Sequence, residues 1–363
     1  VTKILVVDDS ALMRRVLGSI LAGEPDMEVA YARDGHEAIV MLHRYQPDVV
    51  TLDVQMPGID GLACLDRIML ERPSRVLMVS SLTEAGSKVA LDALERGAVD
   101  FIAKPVGTIS LGIDVFKPAF LEKVRNCAAA KIRYSKGLTE RVRLLAKAVP
   151  APPPRPAEPA PVATKVPRGG IEGRAVVLVG TSTGGPPALD ALLSPLPPSF
   201  PWPIVVAQHM PAAFTGPLAR RLGALCSLDV AEVLQPVPLV PGRVYVGRGD
   251  ADIVVGERGG EIIVQPVAAS EEHRWHPSVD RLVTSALQHL AAASLIGVLM
   301  TGMGNDGAAA MTRLRNQGGR TIAESEETAV VWGMPGELVR AGGADVVLRL
   351  PAIAGQLMDW ARV

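Results

Sequence analysis

Ala175-Val-Val-Leu-Val-Gly-Thr-Ser-Thr-Gly-Gly-Pro-Pro187 decides how the second half of this chain folds. Its apolar start reads as a buried strand. A glycine-rich turn follows, and the two prolines then open a helix, because proline is tolerated in a helix's first turn. A strand–turn–helix of this kind sets Ser182 at the apex of the turn, beside the N–H groups of a helix N-terminus. The flanking glycines let a substrate carbonyl approach the backbone closely. Ser182 is therefore read as a nucleophile. Two phosphate-binding patterns fail here: no Gly-Lys-Ser/Thr follows, and Gly-x-Gly-x-x-Gly is not matched.

A serine hydroxyl at its ordinary pKa is a weak nucleophile and needs a base. The chain has six histidines. His209 follows the apolar run Pro203–Gln208, the next strand in sequence, so it falls on the same sheet edge as Ser182. His36 and His43 belong to the first half. His289 sits in a helical pattern over Val279–Ala293, and His273 and His276 lie in a loop-like segment, Ser270–Ser278. A base histidine needs a carboxylate to fix its tautomer. The strand Ser294–Met300 runs into Thr301-Gly-Met-Gly-Asn-Asp-Gly307, which places Asp306 at a strand end before a helix over Ala308–Gln317. Taken alone, Asp306 is a turn or N-cap aspartate. In company, three strand ends supply Ser182, His209 and Asp306. The order Ser…His…Asp differs from that of the α/β-hydrolases. Backbone N–H groups at Thr183 and in the Gly302–Gly304 turn are the expected oxyanion donors.

The first half alternates apolar strands with helical stretches. Strands over Lys3–Val7, Asp48–Leu52, Arg75–Val79 and Val99–Ala103 end on Asp8-Asp9, Asp53, Ser80 and Lys104. Helical patterns such as Gly35–Arg44 and Glu84–Arg96 lie between. The alternation predicts a parallel sheet with helices on both faces. Its strand C-termini share one edge, where ligands bind. Three carboxylates meeting there would repel one another, so a hard cation such as Mg²⁺ is expected among them. One carboxylate can then attack a phosphoryl group, with the Lys104 ammonium neutralising charge on the transferring oxygens.

Val-Val-Asp-Asp-Ser, Leu-Asp-Val-Gln-Met-Pro-Gly-Ile-Asp-Gly, Met-Val-Ser-Ser and Lys-Pro together resemble the receiver domain of two-component response regulators, over residues 1–125. The resemblance implies Asp53 as phosphoacceptor and Mg²⁺ held by Asp8 and Asp9 with Asp53. It also implies Ser80 and Lys104 on the phosphoryl group and Phe101 as the switch aromatic. Gly-Thr-Ser-Thr-Gly-Gly, Gln-His-Met-Pro, His-Pro-Ser-Val-Asp and Thr-Gly-Met-Gly-Asn-Asp-Gly resemble the CheB family of chemotaxis protein-glutamate methylesterases, over residues 174–350. That resemblance implies hydrolysis of γ-glutamyl methyl esters on methyl-accepting chemoreceptors, release of methanol, and deamidation of receptor glutamines. A chemotaxis histidine kinase would be the phosphodonor. The implied triad is Ser182, His209 and Asp306. Met303 supplies an oxyanion N–H, Thr183 lies beside the nucleophile, and His276 stands at the rim. No cofactor is implied in the catalytic half. The family pattern further implies a receiver that covers the catalytic cleft until Asp53 is phosphorylated.

The expected fold is α/β, with two doubly wound parallel-sheet domains: a flavodoxin-like receiver over 1–125 and a Rossmann-like three-layer αβα esterase domain over 173–363. Residues 126–172 read as a linker. Its segment Lys131–Lys147 is basic, and Pro150–Pro167 is proline-rich and suited to an extended spacer. The net charge of −1 over 363 residues gives no electrostatic case for nucleic acid or an anionic membrane. The three scattered cysteines argue against a disulfide framework or zinc site. No run of about 18 apolar residues predicts a membrane span, and the first residues lack the regions of a signal peptide. A cytoplasmic protein is expected. One rival class remains, a non-enzymatic response regulator whose turn Gly180–Gly185 binds a nucleotide or anion. A DNA-binding output domain has little support, since no helix-turn-helix lies on a basic face.

Overall fold

The structure is a computed structural model that describes residues 1–81, 83–105, 109–132 and 175–362. The proline-rich stretch Pro150–Pro167, and the basic run beyond residue 132, lie outside the described residues. The chain forms two compact units that divide near residue 161.

In the first unit β1 (Thr2–Val7), β2 (Met27–Ala32), β3 (Val49–Asp53), β4 (Arg75–Ser80) and β5 (Asp100–Ala103) alternate with helices. These are α1 (Ala11–Ala22), α2 (Gly35–Tyr45), α3 (Gly61–Glu71), α4 (Glu84–Glu95) and α5 (Ile109–Ala129). The parallel sheet has the order β2-β1-β3-β4-β5. β1 and β3 are buried along their inner residues, as their apolar runs require. Ser10, Asp34, Asp60 and Thr83 cap the helices that follow them, each accepting from a backbone N–H three residues on. The strand order reverses at β1. Its C-terminal end therefore opens beside that of β3, and Asp8 and Asp9 meet Asp53 there. The sequence reading passed over β2, an edge strand with Glu28 and Tyr31 exposed and little apolar run. α5 continues past residue 125 to Ala129.

The second unit contains β6 (Val176–Thr181), α6 (Gly185–Leu193), β7 (Ile204–Gln208), α7 (Ala212–Leu225), β8 (Asp229–Val233), β9 (Val237–Pro238), β10 (Arg243–Gly247), β11 (Ala251–Arg258) and β12 (Glu261–Ala268). Then come α8 (Val279–His289), β13 (Leu295–Leu299), α9 (Ala308–Asn316), β14 (Arg320–Glu324), α10 (Met334–Arg340), β15 (Val346–Leu348) and α11 (Leu350–Ala361). Seven strands form one parallel sheet in the order β15-β14-β13-β6-β7-β10-β8. α6 packs with α7 and α11, while α8, α9 and α10 pack in sequence, which gives two helical layers. α8 stops at His289, short of the helical pattern that runs to Ala293, because Leu290 turns to an extended conformation.

β6 is the first strand of this sheet and lies at its middle, between β7 and β13. The order runs outward on both sides from it, so the crevice at its C-terminal end is the switch point of the fold. Thr181 pairs with Gln208, and Leu299 with Gly180. The residues just beyond these pairs, Ser182, His209 and the turn from Thr301, must therefore cluster. A three-stranded antiparallel sheet, β11-β12-β9, stands apart from the main sheet and is absent from the sequence reading.

Every residue of β6 is buried, and Leu178 sits in the core with Val205, Val283, Leu295 and Met311. Truncating it leaves a cavity between the sheet and a helical layer. Leu178→Ala should destabilise the second unit by about 3 kcal/mol, measured as a shift of its urea transition in the full chain.

Candidate active site

The turn after β6 is closed by a hydrogen bond from Gly185 N to Ser182 O, 2.8 Å. Gly184 has φ 76°, a left-handed conformation that favours glycine. Gly185 lies against the Gln208 side chain so closely that a Cβ would collide with it. Gln208 in turn clamps the turn from the next strand. Its Oε1 accepts from Thr181 Oγ1 at 2.6 Å and its Nε2 donates to Ser182 O at 3.0 Å. The Ser182 N–H donates to Thr301 O at 2.9 Å, and the His209 N–H donates to Thr181 O at 3.0 Å. Backbone bonds thus stitch the three strand ends together at the serine.

His209 and Asp306 meet directly, Nε2 to Oδ2, at 2.8 Å. Both side chains are almost wholly buried. The Asp306 carboxylate also accepts from Val279 N at 2.7 Å, Asp280 N at 3.0 Å and Ser278 Oγ at 3.0 Å. It sits at the N-terminus of α8, where N–H groups lack helical partners and the helix dipole favours negative charge. Burial alone would push this carboxyl up. The His209 bond and the α8 N–H groups outweigh burial and hold it below the usual carboxylate range. Asp280, behind it, is pushed up by burial and by the Asp306 charge.

An ionised carboxylate only accepts hydrogen bonds, so His209 Nε2 carries the proton and Nδ1 carries the lone pair. Nδ1 is buried and has no partner among the described residues. A buried acceptor left open in this way is an unmade hydrogen bond. The Trp275 ring stacks on the imidazole, with centroids 5.9 Å apart and planes 7° apart, and its other atoms press against Gly304.

Of the N–H groups in the turn after β13, that of Gly302 is taken by Val331 O at 3.0 Å. This removes one of the expected oxyanion donors; Met303, next in the turn, is 37% exposed. Gly302 also lies against Ser182, where any Cβ would crowd the serine Cβ. Thr183 is buried, and its carbonyl accepts from Thr301 Oγ1 at 2.8 Å. His276 is partly exposed and is held from Nδ1 by Asp252 Oδ1 at 2.9 Å. Sequence reasoning passed over Asp252, Trp275 and the buried Glu324, whose Oε2 accepts from Thr301 N at 2.9 Å. Ser278 and Asp280 were visible only as parts of a motif. A serine before an apolar-periodic run is an N-cap signal, and Ser278 does cap α8. No local signal points to Asp252.

In the first unit, Lys104 Nζ bridges Asp53 Oδ2 at 2.7 Å and Asp8 Oδ2 at 2.9 Å. Asp8, Asp9 and Asp53 place ligand oxygens within 4.8 Å of one another. An all-carboxylate set of hard oxygens fits Mg²⁺. Ser80 is buried, and its Oγ donates to Gly86 O at 3.0 Å, toward α4. Phe101 is buried, with Lys123 Nζ 5.7 Å from its ring centroid. Burial pushes the Asp53 carboxyl up, and the Asp8 charge adds to this against the Lys104 hydrogen bond. Burial works against the Lys104 ammonium, yet hydrogen bonds to two carboxylates hold its pKa above the usual value. The pair is uneven because one cation answers two anions.

Fold and site together define a class: a receiver domain joined to a hydrolase domain. Residues 4–113 match the response regulator receiver domain, and residues 177–357 match the CheB methylesterase domain. The chain belongs to the CheB methylesterase family. It is 52% identical to protein-glutamate methylesterase/protein-glutamine glutaminase 2 of Rhodopseudomonas palustris (strain BisB18), over 99% of this chain and 98% of that one. It is 51% identical to protein-glutamate methylesterase/protein-glutamine glutaminase 3 of Rhodospirillum rubrum, over 99% and 96%. The CheB methylesterase catalytic domain of Thermotoga maritima superposes with a TM-score of 0.50 at 36% identity, over 52% of this chain and 98% of that one. No described helix is long and apolar enough to cross a membrane.

A carboxyl whose folded pKa is raised binds its proton more tightly in the folded state. Its ionised form therefore costs stability at neutral pH, and the cost vanishes below the unfolded value of about 3.9. Asp53→Asn should stabilise the first unit at pH 7 with divalent cations chelated, and the gain should disappear near pH 3.5. Chemical denaturation across that range measures it.

Proposed function

We propose that this chain is a phosphorylation-controlled protein-glutamate methylesterase and protein-glutamine glutaminase. It hydrolyses γ-glutamyl methyl esters on the cytoplasmic helices of methyl-accepting chemoreceptors and releases methanol. The observation that carries the reading is the buried His209–Asp306 pair with an open Nδ1, beside a serine whose backbone is bonded to both neighbouring strand ends. His209 takes the Ser182 proton at Nδ1 as Oγ attacks the ester carbonyl. Asp306 holds the imidazolium so formed without itself taking the proton. The Met303 N–H and the backbone at Thr183 face the developing oxyanion. The imidazolium returns its proton to the departing methoxide, and water then hydrolyses the acyl-enzyme by the same route in reverse. Deamidation follows the same steps with ammonia leaving. His276 belongs to the substrate side of this site. The catalytic half uses no cofactor in this scheme.

Asp53 accepts a phosphoryl group from a chemotaxis histidine kinase. Asp8, Asp9 and Asp53 would hold Mg²⁺, which neutralises charge on phosphoryl oxygens when bound. Lys104 and Ser80 contact the phosphoryl group, and Phe101 responds to it. Phosphorylation biases the protein toward its active state. The chain works in the cytoplasm, inserts into no membrane and binds no nucleic acid.

Ser182→Ala should abolish methanol release from methylated receptor membranes. Asp306→Asn should lower kcat by about ten-thousand-fold, because an amide cannot hold His209 in the Nε2–H tautomer. Unchanged hydrolysis in Ser182→Ala would sink the mechanism. A small phosphodonor should accelerate the wild-type enzyme and leave Asp53→Ala at its basal rate. Full activation of Asp53→Ala would overturn the control by Asp53.

A further inference from the structure

We propose that Asp252 is a positioning residue of the hydrolase that acts through His276, fixing which imidazole nitrogen the substrate meets. The proposal rests on the ester-hydrolase reading above. Asp252 stands near the start of β11, in the sheet that lies outside the seven-stranded one, and its side chain is fully buried. A carboxylate in such a place needs donors, and it has four. Oδ1 accepts from Ser278 N at 2.6 Å and faces His276 Nδ1 at 2.9 Å. Oδ2 accepts from Arg281 Nη1 at 2.5 Å and from Ser270 N at 3.2 Å. Burial would push its pKa up, but the bonds from His276, Ser278 and Arg281 hold it below the usual range, so it is ionised.

An acceptor-only partner makes His276 Nδ1 the donor. Nε2 is then the nitrogen left to face the substrate. The backbone of His276 and its neighbours in the chain lie against the triad residues. The His276 carbonyl accepts from Met210 N, next to His209. Trp275, one residue before, stacks on the His209 ring. Ser278, two residues on, donates its hydroxyl to Asp306. The two histidines thus hold opposite tautomers, His209 with Nε2–H and His276 with Nδ1–H, and Ser278 touches both carboxylates that enforce them.

Asparagine cannot replace Asp252, because both of its oxygen positions face only donors. With the amide oxygen toward Arg281, the NH₂ group would face His276 Nδ1 and turn the ring to the Nε2–H tautomer. The test uses the full chain with ¹⁵N-labelled histidine, long-range ¹H–¹⁵N correlation of His276, and turnover of a glutamyl methyl-ester peptide. Wild type should show the Nδ1–H tautomer, and D252N should show Nε2–H. D252N and H276Q should each lower kcat by about tenfold to a hundredfold, and the double variant should be no worse than H276Q alone. Labelling of Ser182 by a fluorophosphonate should persist in D252N, since the His209–Asp306 pair is intact. If D252N fails to fold, D252L/R281M removes the carboxylate together with the guanidinium left unpaired, and His276 should then lose its Nδ1–H tautomer. An Nε2–H tautomer in wild type, additive losses, or labelling that falls in step with turnover would each overturn the proposal. An inactive wild type would sink the hydrolase reading instead, and the tautomer measurement would still decide the role of Asp252.

Discussion

An ionised carboxylate accepts hydrogen bonds and donates none, and the hydrolase half is built on that constraint. Asp306 is ionised because His209 bonds it and α8 points its first N–H groups at it. Its charge then puts the His209 proton on Nε2, and so decides which nitrogen is left open. Here the carboxylate bond falls on Nε2 and Nδ1 is the open nitrogen, the reverse of the arrangement in chymotrypsin-like triads. The open nitrogen is thus the one on the short arm of the imidazole. That suits a serine and a histidine on adjacent strand ends, where Thr181 pairs with Gln208 and the backbones are already in contact.

The topology explains why these strand ends meet. β6 enters the sheet first, and later strands are added on both sides of it. Only at such a reversal do neighbouring connections leave in opposite directions and open a crevice. β7 and β13 flank β6, so their loops form the crevice walls. The first unit repeats the logic at β1, where the reversal brings Asp8 and Asp9 next to Asp53.

Much of this was legible in the sequence, for a physical reason. A strand buried on both faces is a continuous apolar run, so β1, β3, β6, β7 and β13 announce themselves, and the polar residue ending each run is placed by the pleat. Ser182 and His209 stand just past β6 and β7, and Asp53 closes β3, where the runs put them, whereas Asp306 lies in the glycine-rich turn beyond β13. Edge strands carry no such signal, and β2, with its exposed Glu28 and Tyr31, went unread. The β11–β12 hairpin did carry one: Gly259-Gly260 is a two-residue turn with positive φ at both positions. Asp252 could not have been found even so. Its partners His276, Ser278 and Arg281 lie 24 to 29 residues away, and nothing local to β11 distinguishes it from a solvated strand-end acid.

Asp53 and Asp306 are both buried carboxylates at the ends of central strands, yet they are tuned oppositely. Burial raises both, so the difference lies in the donors around them. Asp306 has four, two of them from a helix N-terminus, and every lone pair is occupied. Asp53 has one long bond from Gln55 N at 3.2 Å and a lysine shared with Asp8. The under-satisfied carboxylate is the more basic one and keeps lone pairs unoccupied. The saturated one is the weaker base and has no oxygen to offer an electrophile. A group that must accept a phosphoryl needs the first condition, and a group that must only orient a base needs the second. The same side chain is held above the usual range at one sheet edge and below it at the other, because His209 and the α8 N–H groups surround Asp306 while Asp53 meets one long N–H bond and a shared lysine.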